Sequence, residues 1–296
     1  MQLRDIRLDS SLCELTPRGT PAFPIEMYDN DIAAFTLHYV PLHWHAEAEL
    51  VYAPAGGVML DSGGKTALLA PGGGAFINAG CLHAMRPTQA GACETINIVF
   101  HPELIAGAPY SIFAQKYVQP LLQSGVGALP LQPDIPWQAS ALAQMREAYR
   151  IYEKAAPGFE FGTRARLSEI WALLCAACAQ TPCRGDRQSE RMKQLLLYLQ
   201  QNYAEPFTLD ALAASAGISV RTCCRCFRKY SGMAPFQYLN EYRVKAAADL
   251  LRNTEDSVTQ ICFAVGFQDT SYFTRVFRER TGRTPTAFRR ERSEIL

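Results

Sequence analysis

The sequence predicts a two-domain α+β protein: a barrel or sandwich of short antiparallel strands followed by helices, then an all-α unit of two helix-turn-helix repeats. Three observations predict it. Short runs of Val, Ile, Leu and Phe between Gly and Pro fill the chain before Gln138. A pattern repeats itself at an offset of fifty residues in the C-terminal third. Charge divides in the same place, with 17 Lys and Arg against 11 Asp and Glu from Arg187 to Leu296, and 12 against 17 in the remainder. The overall charge of +1 therefore hides a basic third of the chain suited to a polyanion.

Composition excludes several classes. With 296 residues, 48 % hydrophobic and 19 % charged, the chain can bury a sizeable core. Arg4, Asp5, Arg7, Asp9 and Glu14 break up the first fifteen residues, so no signal peptide is expected there. The uncharged run Ile170 to Ala179 is about half of the ~20 residues a membrane span needs. A cytoplasmic protein with no membrane partner is expected, its ten cysteines reduced rather than paired.

In order, the expected strands are TLHYV (36–40), AELVYA (48–53), VMLDS (58–62), TALLA (66–70), AFINA (75–79) and TINIVF (95–100). Within them lie His43-Trp-His45-x3-Glu49-x6-Gly56 and Gly72-x5-Asn78-x-Gly80-x2-His83. His43 and His45 fall on one side of a strand, and a small barrel can bring Glu49 and His83 to them. The spacing resembles the two cupin motifs, HxHx3Ex6G and Gx5PxGx2H. It departs in having Asn78 where proline is usual and no glycine six residues before His43. Three imidazoles and a carboxylate suit zinc, iron, manganese or nickel. Three uses stay open for His43, His45, Glu49 and His83: a site for a divalent transition metal, the lining of an organic-effector pocket, or a structural cluster. No nucleophile-and-base pattern appears, and no catalytic residue is assigned.

Two helices are expected next, Trp137–Ala156 and Phe161–Gln180. The second aligns Leu167, Ile170, Trp171, Leu174, Cys175 and Cys178 on an apolar face, a dimerisation seam or else a surface packed on the barrel. Cys175, Cys178 and Cys183 read chiefly as core filling, with redox chemistry or metal binding as the alternatives. The polar stretch 181–189 is the expected linker, giving domains 1–180 and 190–296.

The repeat is Arg225-Cys-Phe227-Arg228, Gly232 and Pro235, answered by Arg275-Val-Phe277-Arg278, Gly282 and Pro285. Upstream, Leu209-x2-Leu212-Ala213-x3-Gly217 is answered by Val258-x2-Ile261-Cys262-x3-Gly266. Each half is a short amphipathic helix, a glycine turn and a second amphipathic helix. Thr208, Ser219, Ser257 and Asp269 are the expected N-caps. At 3.6 residues per turn Cys223, Cys226, Phe227 and Tyr230 share the inward face, while Arg221, Cys224, Arg225 and Arg228 share the outward one, with Cys224 exposed. The matching outward face is Ser271, Thr274, Arg275 and Arg278. Such faces suit a DNA major groove, with Arg reading guanine edges. Lys229, Arg243, Lys245, Arg289 and Arg290 are candidate phosphate contacts. One connecting helix of about 25 Å, Ala234 to Leu251, sets the two reading helices on one side of a duplex whose grooves repeat every ~34 Å.

Residues Phe207 to Arg290, above all GFQDTSYFTRVFRERTGRTPTAFR, resemble the DNA-binding domain of the AraC/XylS family of bacterial transcription regulators. The resemblance implies recognition helices Val220–Tyr230 and Thr270–Thr281. It places Arg221, Thr222, Cys224, Arg225, Arg228 and Lys229, then Thr270, Ser271, Thr274, Arg275 and Arg278, near DNA. It also implies a cupin-like sensor that binds a small-molecule or metal effector, a homodimer, promoter DNA as partner, RNA polymerase where the output is activation, and no enzymatic activity. Cys223 departs from the Leu or other apolar residue usual at that inward position. The rival readings are a metal-dependent cupin enzyme tethered to DNA and a thiol-based redox regulator acting through Cys224 or the Cys175/Cys178 pair.

Overall fold

The computed structural model describes residues 5–8, 12–89, 93–178 and 187–293. The expected linker falls mostly on residues 181–186, which lie outside the described residues, as does Cys183; helix is already established at Arg187. The chain divides into two compact units, one built chiefly on residues 13–35 and 39–189 and the other on residues 190–296.

The first unit is a sandwich of two antiparallel sheets. Its strands are β1 (Ile25–Asp31), β2 (Val40–His43), β3 (Ala48–Tyr52), β4 (Val58–Ser62), β5 (Lys65–Leu69), β6 (Gly74–Ile77), β7 (His83–Pro87), β8 (Glu94–Phe100) and β9 (Ala128–Leu131). One sheet runs β1-β8-β3-β6-β9 and the other β2-β7-β4-β5. The expected strand TLHYV does not form. After β1 the chain enters a 3₁₀ turn, Ile32–Ala34, capped by the Asp31 side chain, and His38 then takes a φ of +58°. A strand needs extended φ, so pairing resumes only at Val40.

Helices follow in chain order: α1 (Glu103–Ala106), α2 (Gln119–Leu122), α3 (Pro136–Lys154) and α4 (Phe159–Cys178). The long pair α3 and α4 covers the outer face of the five-stranded sheet. Period-two alternation on β3 explains why every residue of that strand is buried. Ala48, Leu50 and Tyr52 join Leu142, Met145, Leu167, Ile170, Trp171 and Leu174 in a core between sheet and helices, while Val51 joins Val40, Leu60, Ile77 and Met85 between the sheets. Leu167, Ile170, Trp171 and Leu174 of the apolar face of α4 are buried against the sheet, and Cys175 and Cys178 are partly buried beside them. The Cys175 thiol donates to the Tyr117 carbonyl at 3.3 Å, and burial, with Cys178 beside it, pushes its pKa up to about 11. Burial of this kind suits the core-filling reading of Cys175.

The second unit contains α5 (Arg187–Gln201), α6 (Leu209–Ser215), α7 (Val220–Ser231), α8 (Pro235–Asn253), α9 (Val258–Ala264), α10 (Thr270–Thr281) and α11 (Pro285–Ser293). All four expected caps form: Thr208, Ser219, Ser257 and Asp269 accept from the amides of Ala211, Thr222, Gln260 and Tyr272. The connecting helix α8, of 19 residues, is about 28 Å long. Arg280 of α10 ties to Glu241 of α8 at 2.7 Å, fixing the two helices together. No helix among the described residues is long and apolar enough to cross a membrane.

The two turn glycines are not equivalent. Gly217 has φ +62° with open space where a Cβ would stand, whereas at Gly266, φ +90°, a Cβ would lie 2.7 Å from the carbonyl oxygens of both Tyr203 and Ala204. Gly217→Ala is expected to cost about 1 kcal/mol, the left-handed backbone penalty alone. Gly266→Ala is expected to cost at least about 3 kcal/mol, because backbone must also move. Thermal melts followed by helical circular dichroism check the difference, and equal losses would contradict it.

Candidate metal centre and nucleic-acid interface

The sandwich brings His43, His45, Glu49 and His83 together. β2 and β7 place His43 directly opposite His83. His45 follows two residues later, and β3 supplies Glu49 from the other sheet, on the same side of the strand as Val51 and hence between the sheets. All four are at most 3 % exposed, and their candidate ligand atoms lie within 4.8 Å of one another. Donors on one metal at ~2.1 Å are separated by at most about 4.2 Å, so this set needs to contract by only a few tenths of an ångström per ligand.

Main-chain carbonyls settle the tautomers. The Nδ1 atoms of His43, His45 and His83 face the carbonyl oxygens of Pro41, Glu47 and Cys81 at 2.8, 3.0 and 2.9 Å. A carbonyl only accepts, so each Nδ1 carries the proton and each neutral ring turns its Nε2 lone pair inward. His45 Nε2 and His83 Nε2 then stand 3.2 and 3.1 Å from Glu49 Oε2. Neutral imidazole and carboxylate would meet there lone pair to lone pair. Either a second proton or a cation must sit between them. His83 Nε2 is fully buried, with Glu49 Oε2 as its near neighbour.

In the metal-free centre protons supply part of the missing charge. Burial, reinforced by His83 and His45, holds the His43 pKa well below the ordinary histidine value. Burial opposes charge on His45 too, but the hydrogen bond and charge of Glu49 outweigh it and raise its pKa. The Glu49 carboxyl is held well below its usual range because hydrogen bonds from His45 and His83 overcome its burial. Glu49 is fixed from its far side by Asn97, whose Nδ2 donates to Oε1 at 2.6 Å.

The sequence reading missed the residues around this centre. Glu14 pairs with Arg18, which donates to Tyr28 Oη at 2.6 Å, and Glu14 Oε2 lies 3.7 Å from His43 Nε2. A lone Glu thirty residues ahead of a histidine strand leaves no periodic signal. Asn78, in the place of the usual proline, uses its Nδ2 to bind the carbonyls of Leu121, Leu122 and Val126, so it serves the barrel wall rather than the centre.

In the helical unit the inward face is as expected: Cys223, Cys226, Phe227 and Tyr230 are at most 2 % exposed. Burial, with Cys224 and Cys226 nearby, pushes the Cys223 thiol up to about 12, so it behaves as a small hydrophobe. Arg221, Arg225 and Arg228 are exposed, and Thr222 is half-buried beside its cap Ser219. Cys224 is half-buried rather than exposed. On α10, Thr270, Ser271, Thr274, Arg275 and Arg278 line one open groove. The Arg275 guanidinium lies 5.3 Å from the Tyr272 ring centre, and Asn240 of α8 donates to that tyrosine's hydroxyl at 2.9 Å. No carboxylate pairs with Arg221, Arg225, Arg228, Arg275 or Arg278 among the described residues, which leaves these cations available to an anion.

Four of the candidate phosphate contacts are held or covered by neighbours. Arg243 donates to the Tyr203 carbonyl at 2.7 Å, Arg289 to that of Asp256 at 2.6 Å, and Lys245 is buried. Lys229 is half-buried against Tyr230. Helical spacing identifies a face but not the neighbour that captures a long side chain. Arg290 alone of the five is exposed.

The His43 and His45 shifts set opposed pH effects. Lowering the pH below about 6.5 protonates His43 in the unfolded chain but not in the folded one, so its contribution is lost as pH falls. His45, with its raised folded pKa, contributes below about 6.5 and loses that contribution as pH rises through its folded pKa. For chelator-treated protein, His43→Asn is therefore expected to show a smaller fall in melting temperature from pH 7 to pH 5 than the parent. Tryptophan fluorescence checks this, because the three tryptophans, Trp44, Trp137 and Trp171, all lie in the first unit.

Comparison with known proteins agrees with both units. Residues 32–170 match the AraC-like ligand binding domain and residues 212–291 a helix-turn-helix domain. Over 98 % of its length the chain is 26 % identical to the whole of the HTH-type transcriptional regulator YdeC of Bacillus subtilis. It is 32 % identical to the HTH-type transcriptional activator RhaS of Escherichia fergusonii over 52 % of this chain and 56 % of that one. The crystal structure of an AraC-type transcriptional regulator from Chromobacterium violaceum is 30 % identical, covering 36 % of this chain and 94 % of that one, with a TM-score of 0.34. The chain thus belongs to the AraC family, as a DNA-binding transcription regulator that carries its own ligand-binding domain.

Proposed function

We propose that the buried centre holds a divalent transition metal through His43, His45, Glu49 and His83, and that its occupancy sets how α7 and α10 engage promoter DNA. The observation that carries this reading is the gathering of three imidazoles, each oriented by a main-chain carbonyl, and one carboxylate within 4.8 Å, with the Nε2 atoms of His45 and His83 both facing Glu49 Oε2. Outer hydrogen bonds of this kind are what metal-bound histidines use to fix ring orientation. An organic effector recognised by hydrogen bonds has no need of neutral lone pairs facing a carboxylate. That the relatives are named as regulators supports sensing over turnover, and the name of the E. fergusonii protein supports activation, with RNA polymerase as partner. In the same reading residues 1–180 sense and residues 190–296 read DNA, with Arg225 and Arg275 as the base contacts and Arg221, Arg228 and Arg278 beside them.

Untagged protein is expected to carry about one equivalent of transition metal per chain, lost in His45→Ala. Its affinity for DNA selected from a random library is expected to change at least tenfold on chelation, with no change in His45→Ala. Metal uptake without any effect on DNA binding would reject the coupling.

Arg275→Ala is expected to weaken binding to the selected DNA by about 1–3 kcal/mol and to leave random-sequence binding nearly unchanged. Equal loss on both would make Arg275 a phosphate contact.

A further inference from the structure

The centre contains a second carboxylate that the histidine-strand pattern does not include. Glu14 sits on a short segment anchored to the strand bearing the histidines: its amide donates to the Trp44 carbonyl at 2.9 Å, between His43 and His45 in sequence. Its side chain is 2 % exposed, and Oε2 is 3.7 Å from His43 Nε2. That nitrogen is the inward one. Since His43 Nδ1 already bonds the Pro41 carbonyl, Glu14 is not the outer partner that orients the ring; it faces the lone pair.

Glu14 is also incompletely satisfied. Oε2 pairs with Arg18, whereas Oε1 is buried with no hydrogen-bond partner. A buried carboxylate oxygen without a donor is costly and implies an unfilled role. Arg18, 6 % exposed and tethered by Tyr28, cannot follow the carboxylate far. Rotation about the terminal torsion of Glu14, which is soft, exchanges its two oxygens. One oxygen can then stay on Arg18 while the other turns inward.

From this geometry we infer that Glu14 is a fifth protein ligand of the metal, completing a set of three imidazole nitrogens and two carboxylate oxygens. The inference rests on the metal reading above. Two carboxylates balance a divalent ion, and a set of five favours octahedral or five-coordinate ions over four-coordinate zinc.

Cobalt(II) added to the metal-free full chain tests this, because its visible bands are weak in five- or six-coordination and strong in four. The parent is expected to give weak bands. Glu14→Gln, which keeps the shape and a hydrogen bond to Arg18, is expected to bind cobalt at least tenfold more weakly and to show the strong bands of a four-coordinate ion. An unchanged affinity and spectrum in Glu14→Gln would overturn the assignment. Should that variant not fold, the X-ray absorption pre-edge of the parent decides, a four-coordinate signature overturning it and a five- or six-coordinate one supporting it. A parent that takes up no cobalt would remove the metal reading itself, and the Glu14 assignment with it.

Discussion

A neutral imidazole that donates from Nδ1 can only accept at Nε2, and the N-terminal unit sets two such rings, His45 and His83, against the buried Glu49 carboxylate, with His43 close by. This constraint organises the sandwich around it. β2 and β7 must pair in the register that sets His43 opposite His83, and β3 must lie in the facing sheet with Glu49 turned inward. A register slip of one residue on β3 would replace Glu49 with apolar neighbours and send the carboxylate into the helix-packed core. The same alternation lets β3 be buried on both faces while carrying a charge on only one.

Burial gives the centre its sensitivity. In water, protons and ions would screen such a group of like-facing lone pairs; at 3 % exposure or less they meet an environment that strengthens every uncompensated charge. The opposed shifts of His43 and His45 follow from one difference. His45 has Glu49 within hydrogen-bond distance, whereas the close neighbour of His43 is another ring, that of His83, with centroids 4.1 Å apart. A cation placed among them would replace the proton that His45 holds, so metal and proton compete for the same lone pair.

Much of this was legible in the sequence because the relevant periodicities are short. His43 and His45 alternate at period two, and the C-terminal repeat states each inward and outward face twice, so Phe273 and Val276 identify Cys223 and Cys226 as core. Caps were legible for the same reason: a Ser, Thr or Asp before an apolar periodic run has one favoured use. The failures share a different cause. TLHYV has strand composition, but strand formation depends on the backbone, and His38 lies in the left-handed region. Arg243 and Arg289 have the composition of phosphate contacts, yet here they bond main-chain carbonyls, and Lys245 is buried. Glu14 reaches the centre through a backbone bond to Trp44, a contact thirty residues away in sequence that no pattern announces.

The two reading helices show how one sequence pattern gives unequal surfaces. α7 presents Arg221, Cys224, Arg225 and Arg228, and α10 presents Ser271, Thr274, Arg275 and Arg278. The first face is the more cationic and the second richer in hydroxyls. Arg275 additionally rests on Tyr272, itself held by Asn240 from the connecting helix, so it enters a groove with part of its side-chain freedom already removed. Arg225 has Cys224 beside it, and the corresponding support is absent from its own turn. A preorganised arginine loses less entropy on forming a bidentate contact with guanine, and such contacts carry sequence information, whereas a looser cation does as well on a phosphate. Arg275 is thus the more preorganised of the two repeat-related arginines, and α7 presents the more cationic face.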